Sequence, residues 1–385
     1  RCDEHGVMTM KKTMLLMTML MLMTPLTGCL EGTEPLAMDE TGDCVYLDPG
    51  RESDGVLRIL TYDIAAFSDE MFDVFTVRTG YKIEVIQADD SGGILEQLLQ
   101  TQQAQQADLA IGLDNTYLQT ALNFCLLQPH NANVSDISTS ALEPYNGPMA
   151  LPFDRGDVCL NYDETRVDGT NLTVPTSLWN LTEPEWKGLT AFPSPVTSSP
   201  GRAFMSATVD YFEHDEDNTT DAFDWWKAMA DNGAIFTTGW TEAYEIHYSG
   251  GYGEWVEGHL GDAAMTVSYC HSPGVEAFYS GNWTKSTSLT LPKSTFHQVE
   301  YAGVINGGTE IEAANAFIEY LLSEEVNRNM PENNLMQSVL VNATWPETEG
   351  YAYHTDVPEE NAAITNERIA DEMETWLSEW KQATE

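Results

Sequence analysis

The residues best placed to do chemistry cluster in two stretches. One is Gly239-Trp-Thr-Glu-Ala-Tyr244, after the apolar run Ala234-Ile-Phe-Thr-Thr238. The other is Ala263-Ala-Met-Thr-Val-Ser-Tyr269, which runs on into Cys270-His-Ser-Pro273. Thr241, Glu242 and Ala243 read as the first turn of a helix. Trp240 then sits at a strand-to-helix junction, where side chains point into a crevice rather than a core. In the second stretch Pro273 stops a buried strand, and Ser272 is expected to cap the helix that starts there. Two strand ends, each with an aromatic ring and small polar groups, suit the binding of a small molecule.

Other strand ends carry matching chemistry. Thr197-Ser-Ser-Pro-Gly201 precedes an expected helix. Ser198 and Ser199 with the free N–H groups of that helix start would serve either an anion or a ligand hydroxyl, or a capping loop with no ligand. Tyr62-Asp63, Asp90-Ser91 and Asp114-Asn115 each end an expected strand. A single aspartate there is readily explained as a helix N-cap. Three on one sheet point to a ligand crevice.

The elements that position these groups alternate strand and helix. Strands are expected at 56–62, 82–87, 107–113, 157–162, 189–192 and 263–269, with extended chain again over 288–305. Helices are expected at 68–78, 94–103, 202–212, 222–230, 312–322 and 362–383. Such alternation predicts an α/β fold with mainly parallel sheets. A chain of 385 residues is long enough for two domains. The crossing near Met149-Ala-Leu-Pro-Phe153 divides them: lobe 1 from 56–150 with 300–385, and lobe 2 from 151–299. The last helix carries Ile369, Met373, Trp376, Leu377 and Trp380 on one face, a packing stripe.

The chain has 17 basic and 61 acidic residues, a net charge of −44. Nucleic acid is excluded as a partner, because phosphate binding needs clustered Lys and Arg. Lys11-Lys12 followed by an apolar run to Met23 reads as a secretion signal over 1–29, too short for a mature membrane span. It ends in Leu26-Thr-Gly-Cys29, a lipobox whose cysteine would carry lipid and anchor the protein outside the cytoplasm. Residues 30–55 read as a flexible acidic tether. Four cysteines lie beyond the leader, and a Cys125–Cys159 disulfide is the expected pairing. No zinc-like or metalloprotease spacing occurs, so neither metal nor cofactor is expected.

The stretch 57–381 resembles the periplasmic thiamine-binding proteins of ABC importers, a branch of the type II solute-binding proteins. The resemblance rests on Thr61-Tyr-Asp63, Ala107-Asp-Leu-Ala-Ile-Gly-Leu-Asp-Asn115, Leu151-Pro-Phe-Asp154, Thr197-Ser-Ser-Pro-Gly201, Gly239-Trp-Thr-Glu-Ala-Tyr244, Ser268-Tyr269 with Ser272-Pro273, and Trp376-Leu-Ser-Glu-Trp380, in the family's order. It implies a two-lobed clamp joined by two hinge crossings, a monomer that hands thiamine or a thiamine phosphate to permease subunits without catalysis. It also implies ligand contacts at Asp90, Ser91, Ser198, Ser199, Trp240 and the stretch Tyr269, Cys270, His271, Ser272, with Tyr62 beside them. Asp63, Asp90 or Asp114 would balance the thiazolium charge or accept from the amino group. The family's Tyr-Thr-Thr-Ser is here Tyr269-Cys-His-Ser272, and its Gly-Asn-Trp is Asn333-Asn-Leu335, so one stacking wall is expected to be missing.

Two other readings compete. A receptor for polyamine or ferric iron would fit the acidity, although iron capture in this class usually uses neighbouring tyrosines and no Tyr-Tyr pair occurs. An extracellular hydrolase would need an activated nucleophile, and no Gly-x-Ser-x-Gly is present.

Overall fold

The computed structural model describes residues 37–39, 42–64, 66–214, 220–251 and 258–385. The expected signal segment and Cys29 lie outside them.

Period-two apolar runs become strands. They are β1 (Val56–Thr61), β2 (Lys82–Gln87), β3 (Leu109–Asp114), β4 (Leu127–Gln128), β5 (Leu151–Asp163), β6 (Thr190–Pro193), β7 (Ile235–Thr237), β8 (Met265–Tyr269), β9 (Ser286–Leu289), β10 (Phe296–Ile305) and β11 (Gln337–Ser338). They form one mixed sheet in the order β2-β1-β3-β10-β5-β8-β6-β7, with β4 on β10 and β9 and β11 on β5. Parallel pairing occupies the two ends: β1 with β2 and β3, and β6 with β7 and β8. The long strands β5 and β10 run antiparallel between them and link the halves. This is a two-lobed α/β fold with helices on the sheet.

Local chemistry sets the element ends. Ser68 caps the helix Asp69–Thr79 by accepting from the Met71 N–H, and Gly80 closes it in the left-handed conformation. Asp90 caps Ser91–Gln100 through the Gly93 N–H, and Ser198 caps Ser199–Glu213 through the Gly201 N–H. These two caps face the cleft described below.

Each lobe has its own apolar interior. In the first, Phe75 and Phe317 meet edge-on with ring centres 5.1 Å apart, beside buried Ile59, Ile111 and Val304. In the second, Trp225 and Trp226 pack at 4.8 Å and Phe192 lies 5.0 Å from Trp226. Trp226 Nε1 donates to Thr208 Oγ1 at 3.0 Å.

Three expectations are corrected. The C-terminal helix Asn366–Thr384, expected on lobe 1, buries Ile369, Met373, Trp376 and Trp380 in the second interior, with Trp380 6.2 Å from Trp226. Its stripe specified burial but not the partner. The described part of the expected tether is fixed to the body: Arg51 pairs with buried Asp108, the Leu47 N–H bonds Asn306, and the Ser53 hydroxyl and the Asp54 and Gly55 N–H groups all bond Glu310. The disulfides are Cys44–Cys125 and Cys159–Cys270, not Cys125–Cys159. Cys159 lies on β5 beside β8, whose chain continues directly into Cys270. Cys125 lies beyond the helix Leu118–Asn123, and Asn306 Nδ2 donates to the carbonyls of both Val45 and Cys125, which sets the chain around Cys44 beside it.

Candidate functional site

The C-terminal ends of the parallel strands of both lobes converge on one cleft of about 500 Å3. That convergence follows from pairing, because every parallel strand of a lobe points its carboxyl end the same way. From the first lobe β1 delivers Tyr62 and Asp63, and β2 delivers Asp89, Asp90 and the helix-starting Ser91. From the second, the loop after β6 brings Ser198 and Ser199, β7 brings Trp240, and β8 brings Tyr269, His271 and Ser272.

Trp240 is held from two sides. Its ring stacks on Tyr244 with centres 4.9 Å apart and planes 14° from parallel. Its Nε1–H donates to Ser268 Oγ at 2.9 Å, and Ser268 Oγ bonds Ser272 Oγ at 2.8 Å. Ser272 therefore braces Trp240 instead of capping its helix as expected; His271 holds the cap position of Ser272–Ser280. Beneath the stack, the Tyr244 hydroxyl donates to buried Glu276, which also accepts from Thr284 Oγ1 at 2.5 Å. The expected helix at Thr241 is a short π-helical turn, Glu242–His247.

A second aromatic run is Tyr269, His271 and Trp345. Tyr269 lies 5.1 Å from His271, which lies 4.7 Å from Trp345. The His271 Nε2–H donates to the Leu335 carbonyl at 2.7 Å, and burial lowers its pKa to about 4, so the ring is neutral. Gly156 permits this packing: a Cβ there would lie 2.8 Å from His271 Cε1 and 3.0 Å from Tyr269 Cδ1. Gly112, at φ +104°, does the same for Tyr62, whose ring a Cβ would meet at 2.5 Å.

Two of the residues expected at the site do not line the cleft. Asp114 is fully buried behind it. Its carboxylate accepts from Thr116 N and Oγ1, both at 2.6 Å, and from Ser199 Oγ. It thereby ties the first lobe to the helix start of the second. Cys270 is buried and bonded to Cys159, so its sulfur props the wall from behind.

Residues not expected at the site also line it: Glu300 on β10, Tyr244, and the turn Asn334, Leu335, Met336, at the place where one stacking wall was expected to be missing. Glu300 had a signal, since a lone acid interrupts the apolar run of β10. Its position in the cleft depends on strand pairing, which a single segment does not display.

Residues 70–359 match the model of the bacterial extracellular solute-binding protein family. The chain belongs to that family. The thiamine-binding periplasmic protein of Escherichia coli K12 is 23% identical over 332 residues, covering 85% of this chain and 93% of the relative. That of Haemophilus influenzae is 21% identical, covering 71% and 74%. A solved periplasmic thiamin-binding protein superposes with a TM-score of 0.71 at 22% identity, covering 88% of this chain and 99% of the other. The ferric-binding protein of Campylobacter jejuni, at 16% identity, gives 0.65 over 85% and 99%. A spermidine/putrescine-binding protein of Streptococcus pneumoniae, also at 16%, gives 0.60 over 86% and 99%. The thiamine-binding relatives are named as periplasmic proteins.

The buried acids of this solute-binding protein set a pH dependence. Burial lifts Asp114 to about 6 and both Glu276 and Glu300 to about 7. Each holds more protons folded than unfolded between its ordinary value and its raised one, so stability is lost as pH rises through that window. Neutral His271 works the other way from about pH 4 to 6.5. With three carboxyls against one imidazole, the ligand-free protein is expected to melt higher at pH 5 than at pH 8 in scanning calorimetry. An equal or higher melting temperature at pH 8 would contradict these assignments.

Proposed function

We propose that this protein captures thiamine or a thiamine phosphate between its lobes and delivers it to the permease of an ABC importer. It acts as a monomer held to the outer face of the membrane by lipid on Cys29. The observation that carries this reading is the pairing of a braced indole wall, Trp240 on Tyr244, with carboxyl groups at Asp63, Asp90 and Glu300 in one cleft. A flat cation is the ligand such a lining favours: the ring faces supply stacking and cation–π attraction, about 0.5–2 kcal/mol each, and the carboxyls supply charge balance. Ser198 and Ser199 at the helix start suit a hydroxyethyl group or a phosphate. The names of the relatives point the same way.

A polyamine receptor is the second reading, favoured by the net charge of −44 and by the fold shared with a spermidine/putrescine-binding protein. Titration calorimetry of the ligand-freed protein with thiamine, thiamine monophosphate and spermidine separates the two. Tight binding of a thiamine form, with spermidine weaker by at least about tenfold, is expected. The reverse order would replace the first reading by the second.

A further inference from the structure

Three acids stand side by side on adjacent strands at the cleft floor. In strand register Glu300 of β10 faces Asp114 of β3 on one side and Asp154 of β5 on the other. Directly opposed positions place side chains on the same face, about 5 Å apart at Cβ. Three ionised carboxylates in such a row repel one another strongly. The row is also dry: Asp114 and Asp154 are fully buried and Glu300 is 3% exposed.

The groups that act on Glu300 and Asp154 are neutral donors or other acids; the cation beside the row, Arg202, acts on Asp114. From the end of β1, the Tyr62 hydroxyl donates to Glu300 Oε2 at 2.5 Å. From the turn before β11, Asn334 donates to Asp154 Oδ2 at 2.6 Å. The phenol of Tyr269, at the end of β8, accepts from Gln298 Nε2 at 3.3 Å. Ser199 and Arg202 of the helix Ser199–Glu213 serve Asp114, and the Arg202 guanidinium lies 4.1 Å over the Tyr117 ring. Asp63, Asp89, Asp90 and neutral His271 line the cleft nearby. Two buried polar atoms beside the row, Asp154 Oδ1 and Gln298 Oε1, meet no amide, hydroxyl or cationic donor among the described residues. Only Glu300 of the three acids opens onto the cleft.

We propose that Glu300 and Asp154 share a proton in the empty cleft and give it up to solvent when a cationic ligand arrives, making the pair the cation-recognition subsite. This deepens, and rests on, the reading of the cleft as a receptor for an organic cation. The proton leaves as a solvent hydronium or to buffer, and the ligand's positive charge takes its place against the newly ionised carboxylate. Burial and the neighbouring charges raise Asp154 and Glu300 together, so at neutral pH the pair retains a proton without ligand.

The test has two arms. Without ligand, carbon-13 carboxyl NMR of the labelled protein follows each acid against pH. Beside the carboxyl of Glu276, which also titrates near neutrality, a second such titration assigned to Glu300 or Asp154 is expected, absent in Glu300→Gln. With ligand, calorimetry with thiamine and with spermidine in buffers of different ionisation heat counts protons. Wild type at pH 7 is expected to release on the order of half a proton per cation bound. Its affinity should rise about three- to tenfold from pH 6 to pH 8. Glu300→Gln should lose the difference and bind about tenfold more weakly at pH 8. The amide replacement also subtracts any proton exchanged by the ligand's own ring. Asp154→Asn repeats the test should Glu300→Gln fold poorly. Neither Glu300 nor Asp154 titrating above pH 6, or cation binding without proton release, overturns the proposal. Normal titration and proton release with spermidine alone would leave the pair standing and remove thiamine as the ligand.

Discussion

Replacing Trp240 by alanine is expected to weaken thiamine binding about 10- to 100-fold while leaving the fold intact. The indole is only partly buried, so its removal opens no core cavity. What disappears is a ring face fixed at 4.9 Å on Tyr244 and by the bond to Ser268. A fixed face contributes more than a mobile one, because its ordering cost was met on folding. Loss of cation–π attraction and ring contact amounts to roughly 1.5–3 kcal/mol, hence the 10- to 100-fold range. Calorimetry at constant pH measures it. An unchanged dissociation constant would place the ligand away from this wall.

The second large effect concerns the Cys159–Cys270 disulfide, which closes a loop with a sequence separation of 111. Constraint of the unfolded chain by such a loop is worth about 2–5 kcal/mol. The variant with both cysteines changed to alanine should melt roughly 5–10 °C lower. Because Cys270 lies between Tyr269 and His271, thiamine affinity should fall as well. Cys44–Cys125 has a similar separation of 81, but its residues lie outside the cleft. Its removal should lower the melting temperature comparably and spare affinity. Equal effects of the two removals on binding would mean that Cys270 plays no part in holding the wall.

The contrast between these disulfides shows where the sequence was informative. Local signals were legible: the strand-end Asp90 as a helix N-cap, and the alternation of strand and helix that gives the parallel strands. From those, the strand ends carrying Tyr62, Asp63, Asp90, Ser91, Ser198, Ser199, Trp240, Tyr269, His271 and Ser272 could be named, and they do meet in one cleft. Relations between distant segments were not legible. Whether Cys125 pairs with Cys44 or Cys159 and which interior accepts the Trp376 and Trp380 stripe depend on how distant segments pack, and that Glu300 stands between Asp114 and Asp154 depends on the register of β3, β5 and β10. Register is set by burial of both sheet faces at once, which no single stretch records. Asp114 was misread for a related reason. A strand-end aspartate serves equally as a ligand contact or as an internal acceptor, and only the approach of Ser199 from the other lobe decides between them.

The most direct test of the central claim is a crystal structure of the ligand-freed protein grown with thiamine. Ligand density is expected in the cleft, with a ring on Trp240 and its positive charge toward Glu300. Thiamine density elsewhere on the surface, or a closed cleft without it at saturating concentration, would contradict the account.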